Sequence, residues 1–265
     1  MESNFGTHAL QQPRMPVLRF ILKALFIKKW RPPKLLQQYS IDFSQTVSMK
    51  NKAIGAVRLI TALAILASVF WQVSDRIVNH VFHPEEYWVY FTIDTSLLMS
   101  ALLIAGFAVA WFKNNQTAHW FEVARIALSA AYVVVAVVYN ALLRGEPDDA
   151  RDVAAGYHWP TVPNEILHVW APLILVIELI IVTPALRVRL VEAFWAAAYP
   201  IVWLVGSIIR GNINHWWPYW FINPDEYGVA SMLMYIAGIT GILIVTALLL
   251  LAIRMPFQRF KRLSN

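Results

Sequence analysis

The feature that most constrains this chain is a series of apolar runs, several reaching about 20 residues, the length that crosses a hydrocarbon core of about 30 Å. Composition agrees with that reading. The 265 residues are 58% hydrophobic and only 14% charged, where a soluble domain carries about 25% charge. Six spans are expected, at about 53–74, 87–112, 120–143, 163–183, 193–210 and 229–253. The expected fold is therefore all-α, a bundle of six transmembrane helices in an integral membrane protein.

Charge orients the bundle. Residues 1–52 hold nine Lys/Arg against two acids, and residues 254–265 hold four Lys/Arg and no acid. An even number of spans puts both termini on one side, and their basic charge makes that side the cytoplasm. The loops agree: 184–192 carries Arg187, Arg189 and Glu192, whereas 144–165 carries two Arg against five acids. Within the basic arm, "PVLRFILKALFIKKW" (16–30) reads as an amphipathic helix lying on the inner membrane surface. "RPPK" (31–34) stops it, because two prolines cannot continue a helix. The organisation expected is a basic cytoplasmic arm with an interfacial helix (1–52), a six-span domain (53–253) and a basic cytoplasmic tail (254–265). Basic residues at a membrane surface have lipid as their partner, so the positive balance is no argument for nucleic-acid binding.

Several chemistries are absent. With no cysteine there are no disulfides, thiolate nucleophiles or cysteine-bound metals. His80, His83, His119, His158 and His215 fall in loops without metal-ligand spacing. There is no Gly-rich phosphate loop and no GxSxG. Neither a metal nor a cofactor is expected.

Depth sorts the polar residues inside the spans. At a rise of about 1.5 Å per residue, Thr92 lies about 7 Å and Asp94 about 10 Å below the outer end of the second span. On the same scale His168 lies about 7 Å down in the fourth span and Asn140 about 5 Å down in the third. Arg144 and Arg210 sit at the outer rim, and Asn164 shares a helix face with His168. A histidine at that depth is costly to keep, and it could serve as the base that a threonine hydroxyl needs to become a nucleophile. Asn164 or Asp94 could orient the imidazole; Asn140, Arg144 or Arg210 could polarise a carbonyl. Plainer roles stand beside these. Thr92 could bond its own i−4 carbonyl at Trp88, Thr95 and Ser96 rival it as nucleophile, and Asp94 could simply pair with Arg144 or Arg210. Near the cytoplasmic face Glu178 lies level with Arg58 and Arg125, and there the structural reading is preferred: an ion pair that fixes helix register.

"YFTIDTSLL" (90–98), "YNALLRG" (139–145), "NEILHVWAPLILVIE" (164–178), "YPIVWLVGSIIRG" (199–211) and "WWPYWFINP" (216–224) stand in an order that resembles the androgen-induced-gene-like six-span membrane proteins and their bacterial relatives. The resemblance covers roughly 53–253. It implies an intramembrane hydrolase with a threonine nucleophile, carried onto Thr92, and a histidine, carried onto His168. The implied substrate is a fatty acid ester of a hydroxy fatty acid, and the expected location is a bacterial inner membrane. Two departures are visible. Glu165 follows Asn164 where the eukaryotic proteins read more like Asn-His-x-x-His, and Asp94, Thr95 and Ser96 stand where the bacterial relatives read more like Gln-Ser-Asn. The alternative is a non-catalytic six-span protein, either a lipid or small-molecule transporter or a scaffold.

Overall fold

The computed structural model describes residues 34–145, 150–182 and 188–263; the surface helix expected at 16–30 lies outside them. Among the described residues the chain is helical, with no strand. Six helices are long and apolar enough to cross a membrane: α1 (Gln45–Val78), α2 (Phe91–Phe112), α3 (His119–Leu143), α4 (Thr161–Ile181), α5 (Leu190–Asn214) and α6 (Pro224–Met255). The chain is an integral membrane protein of six spans. Large apolar side chains stay exposed along the spans, among them Phe70, Leu233 and Val202, as expected of surfaces solvated by lipid rather than water.

α3 lies at the centre, packed against α2, α4, the first turns of α5, and α6. Its sequence explains the position. Ser129, Ala130 and Ala131 are nearly completely buried, and small residues let neighbouring backbones approach closely in a bundle that has no hydrophobic drive between its helices. Two apolar clusters fill the interior. One joins α1, α2, α3 and α4 around Ile65, Met99, Tyr132 and Leu175. The other joins α3, α4, α5 and α6 around Ile126, Ala130, Leu179 and Ala247. A third cluster, rich in aromatic rings, caps one end through Phe221, Ile222 and Met232. Gly211 makes that cap possible, because a Cβ there would stand 2.6 Å from the Trp217 ring.

The second span begins later than expected. Tyr87 ends a separate one-turn helix, Pro84–Tyr87, and Tyr90 is extended (φ −64°, ψ 127°) before α2 starts at Phe91. The Trp203 indole donates to the Val89 carbonyl at 2.8 Å and anchors the break. Thr92 therefore lies in the first turn of α2 rather than a full turn inside it. Two further irregularities bear on the site. α3 ends in a π-turn, Tyr139–Leu143, closed by the Arg144 N–H on the Tyr139 carbonyl. α4 widens into another, Ile166–Trp170, in which the Ala171 N–H reaches back to Ile166. Pro172 accounts for the second. It has no N–H to give the carbonyl of His168, so the α pattern cannot continue through that turn.

At the opposite end of the bundle Glu178 meets both arginines that its depth suggested. Arg58 Nε donates to Oε1 at 2.8 Å, and Arg125 donates to Oε2. Glu122 and Arg254 extend the group, Arg254 Nη2 standing 2.8 Å from Glu122 Oε2. Arg58 also donates to the carbonyl of Gly106, where a Cβ would stand 3.0 Å from the Arg58 side chain. All five ionic side chains are buried.

Candidate functional site

Starting α2 at Phe91 decides what Thr92 can do. Trp88 lies outside the helix, and the Thr92 hydroxyl faces His168 instead, with Oγ1 3.3 Å from Nε2. Both side chains are buried, at 9% and 8% exposure. His168 Nδ1 lies 2.8 Å from the backbone carbonyl of Asn164. A carbonyl oxygen only accepts, so Nδ1 carries the proton of the neutral ring and Nε2 turns its lone pair to the threonine hydroxyl. This is the tautomer a general base requires.

The ring is held on its flat side as well. Tyr139 stacks on His168 with centroids 4.0 Å apart and planes 21° from parallel. The Asn164 amide donates to the Tyr139 hydroxyl at 2.9 Å. Asn164 thus orients the imidazole, but its backbone does so directly while its side chain secures the stacking partner. The two π-turns supply both rings of the stack, and wide turns of this kind recur at functional sites.

The other residues singled out in the sequence divide. Arg144 reaches over the Tyr139 ring at 5.0 Å, pairs with Glu165 at 2.7 Å and donates to Asn140 Oδ1 at 2.8 Å. Hydrogen bonding to Glu165 raises the Arg144 pKa above its ordinary value. Asn140 donates to the Ala136 carbonyl. These three residues brace the rim beside the imidazole. Arg210 stands elsewhere, donating to the Glu85 carbonyl at 2.7 Å and lying 4.6 Å over the Trp216 ring. Asp94 makes no hydrogen bond or ion pair with His168, Arg144 or Arg210 among the described residues. At about 100° per residue it lies about 200° around α2 from Thr92, so facing one toward His168 turns the other away. The two rival nucleophiles are also engaged, Ser96 with the Tyr132 hydroxyl at 2.7 Å and Thr95 with that of Tyr199 at 3.2 Å.

Two cavities meet at Thr92. A wide vestibule of about 1110 Å³ is lined by His168, Asn164, Trp159, His215, Glu226 and other polar or aromatic residues. A narrow slot of about 100 Å³ descends between α2, α3, α5 and α6, lined by apolar residues such as Val134, Ala197, Ile239 and Leu243. Thr92, Tyr139, Leu143 and Tyr219 belong to both walls. Sequence reasoning passed over Tyr139 and Tyr219. Tyr139 sits beside Asn140, at the depth already marked, and an aromatic at that depth was the available signal. Tyr219 lies in an aromatic run that resembled an interface belt, and its place at the site depends on how the loop folds back. Among the described residues no group of three His, Asp or Glu is arranged to hold a metal ion. No family model, curated protein or solved structure matches the chain.

Proposed function

We propose that the protein is a membrane-embedded hydrolase of lipid esters, with Thr92 as nucleophile and His168 as base. The observation that carries this reading is the position of the Thr92–His168 pair at the junction of a polar vestibule and an apolar slot. An amphiphilic ester divides in the same way, its acyl chain in the slot and its polar or hydroxylated part in the vestibule. Thr92 Oγ1 attacks the carbonyl carbon as its proton passes to His168 Nε2. The C–O bond to the alcohol then breaks, and the leaving oxygen takes that proton. Water, deprotonated by the same nitrogen, releases the acid and restores Thr92.

The charge distribution supports a site near the outer face, where the ester would meet water while the acyl chain stays among apolar side chains. The sequence resemblance supports the same chemistry and a fatty acid ester of a hydroxy fatty acid as substrate, and it supports a bacterial inner membrane as the location. Neither cavity has Glu178, Arg58 or Arg125 in its lining, which weighs against a transport path running from the site to the arginine cluster. A fluorophosphonate probe tests the reading. The expected result is one covalent adduct, on Thr92, lost in Thr92→Ala and in His168→Ala. An adduct that persists in Thr92→Ala would remove the nucleophile assignment.

A further inference from the structure

Attack on an ester leaves a negative oxygen that needs a donor already in place. His168 Nε2 receives the threonine proton, and the Nδ1–H is committed to Asn164, so the imidazole cannot fill that role. The arginine nearest the ring, Arg144, is held at the rim by Glu165.

Tyr219 is placed differently. It follows Pro218 in the loop between α5 and α6 and borders both cavities together with Thr92. Its ring is gripped on three sides. It stacks on Phe221 at 5.2 Å with planes 6° apart, meets Tyr90 edge-on at 5.7 Å and touches Trp203 at 5.9 Å. Tyr90 is the residue that caps α2, so this grip brings the phenol to the helix start. There the Thr92 hydroxyl and the backbone N–H groups of Phe91 and Thr92 face it. Those N–H groups belong to the first turn, where a helix has no internal acceptor for them.

We infer that Tyr219 is a catalytic residue of the proposed hydrolase, its hydroxyl donating to the ester oxygen that becomes negative when Thr92 attacks. The oxygen of Tyr219, facing backbone N–H groups, is left with its own O–H to give, and donors linked in this way polarise one another. Burial pushes the phenol up to about 12, with the Thr92 hydroxyl and those N–H groups pulling the other way, so it holds its proton throughout the neutral range. A ring fixed by three neighbours needs little rearrangement as charge develops, which is the condition for such a donor to be effective. In the addition step the Thr92 Oγ1–carbon bond forms, the C=O π pair moves onto oxygen, and Tyr219 shares its proton with that oxygen. On collapse the π bond re-forms and the proton stays with Tyr219.

The inference rests on the hydrolase reading, and one experiment separates the two. Full-length protein in detergent is labelled with the fluorophosphonate and assayed with a p-nitrophenyl ester, as wild type, Tyr219→Phe and Phe221→Leu. Tyr219→Phe keeps the ring stack and removes only the donor; kcat and the labelling rate are expected to fall about 10²- to 10³-fold with KM unchanged. Phe221→Leu loosens the same stack but keeps the hydroxyl, and is expected to lose far less. A wild-type labelling rate in Tyr219→Phe, or equal losses in both variants, overturns the role of Tyr219 while Thr92 labelling survives. A wild type that is never labelled on Thr92 overturns the hydrolase reading and the role of Tyr219 together.

Discussion

The two polar ends of this bundle are built on opposite terms. At one end Glu178, Glu122, Arg58, Arg125 and Arg254 are buried against one another, and each carboxylate is shared by two arginines. At the other end uncharged groups, the Thr92 hydroxyl and the His168 imidazole, meet at 3.3 Å beside open space. The first arrangement spends its carboxylates on its own arginines, and leaves Arg58 Nη2, Arg254 Nε and Arg254 Nη1 buried with no hydrogen-bond partner among the described residues. Removing a member leaves a charge stranded in a medium that cannot solvate it. The second keeps capacity in reserve: Nε2 has a lone pair, the hydroxyl has a proton, and a cavity lies next to both. Polar residues within spans are thus not equivalent signals. Those paired with one another hold helices in register, and those with a proton or lone pair facing a cavity are the candidates for chemistry.

That contrast can be broken at either end. The largest effect is expected at the site. On the proposed hydrolase reading, His168→Ala should lower ester hydrolysis by about 10⁴-fold or more, and the Thr92→Ala, His168→Ala double variant should be no slower than either single one, because the pair would act as a unit. Fully additive losses, read from kcat, would show that the two residues do not act together. Next comes the arginine end. Glu178→Ala strands Arg58, leaves Arg125 with Glu122 alone and should cost about 3–5 kcal/mol of stability, seen as a lower unfolding midpoint in detergent. A midpoint matching wild type would mean that the cluster is not the structural clamp described. The slot should give a smaller and more selective effect. Ala197→Phe narrows its lower wall and should penalise long acyl chains relative to short ones by about 10- to 200-fold in kcat/KM, while the labelling rate of a small fluorophosphonate holds. Equal losses for all chain lengths would place the acyl group elsewhere. The smallest effect is expected from Arg144→Ala at the exposed rim. It should change activity by less than about threefold and leave the midpoint unmoved; a loss like that of His168→Ala would draw Arg144 into the chemistry.

Much of the architecture was legible in the residues. Span length and order follow from apolar runs, and five of the six spans begin and end within a few residues of the expected positions. α1 is the exception, its helix running from Lys34 to Val78, because helix continues through polar residues that hydropathy does not count. The pairing of Thr92 with His168 was visible only as a shared depth. Its distance depends on the break at Val89–Tyr90, which Trp203 enforces from another helix. Asp94 was misplaced because depth carries no angle; two residues along a helix preserve the layer and reverse the face. Glu178 was readable as one half of an ion pair, but Arg254 joins through Glu122, and that carboxylate sat too near the start of its span to stand out. Glu165, one of the departures from the resembled motifs, is the anchor of Arg144.

The wide turn at Ile166–Trp170 has a consequence for how α4 serves both ends at once. Each residue added to or removed from a helix rotates everything beyond it by about 100°. A π-turn holds one residue more than the hydrogen-bonded ring of an α-helix needs, and here that residue falls between Asn164 and Glu178. It acts as an angular spacer. It lets His168 point to Thr92 while Glu178, on the same rod, points to Arg58 and Arg125. A regular α-turn through the same residues would leave the composition and hydropathy of α4 unchanged. It would nevertheless set the two ends out of phase by about 100°, so that α4 could seat its carboxylate or its imidazole, but not both.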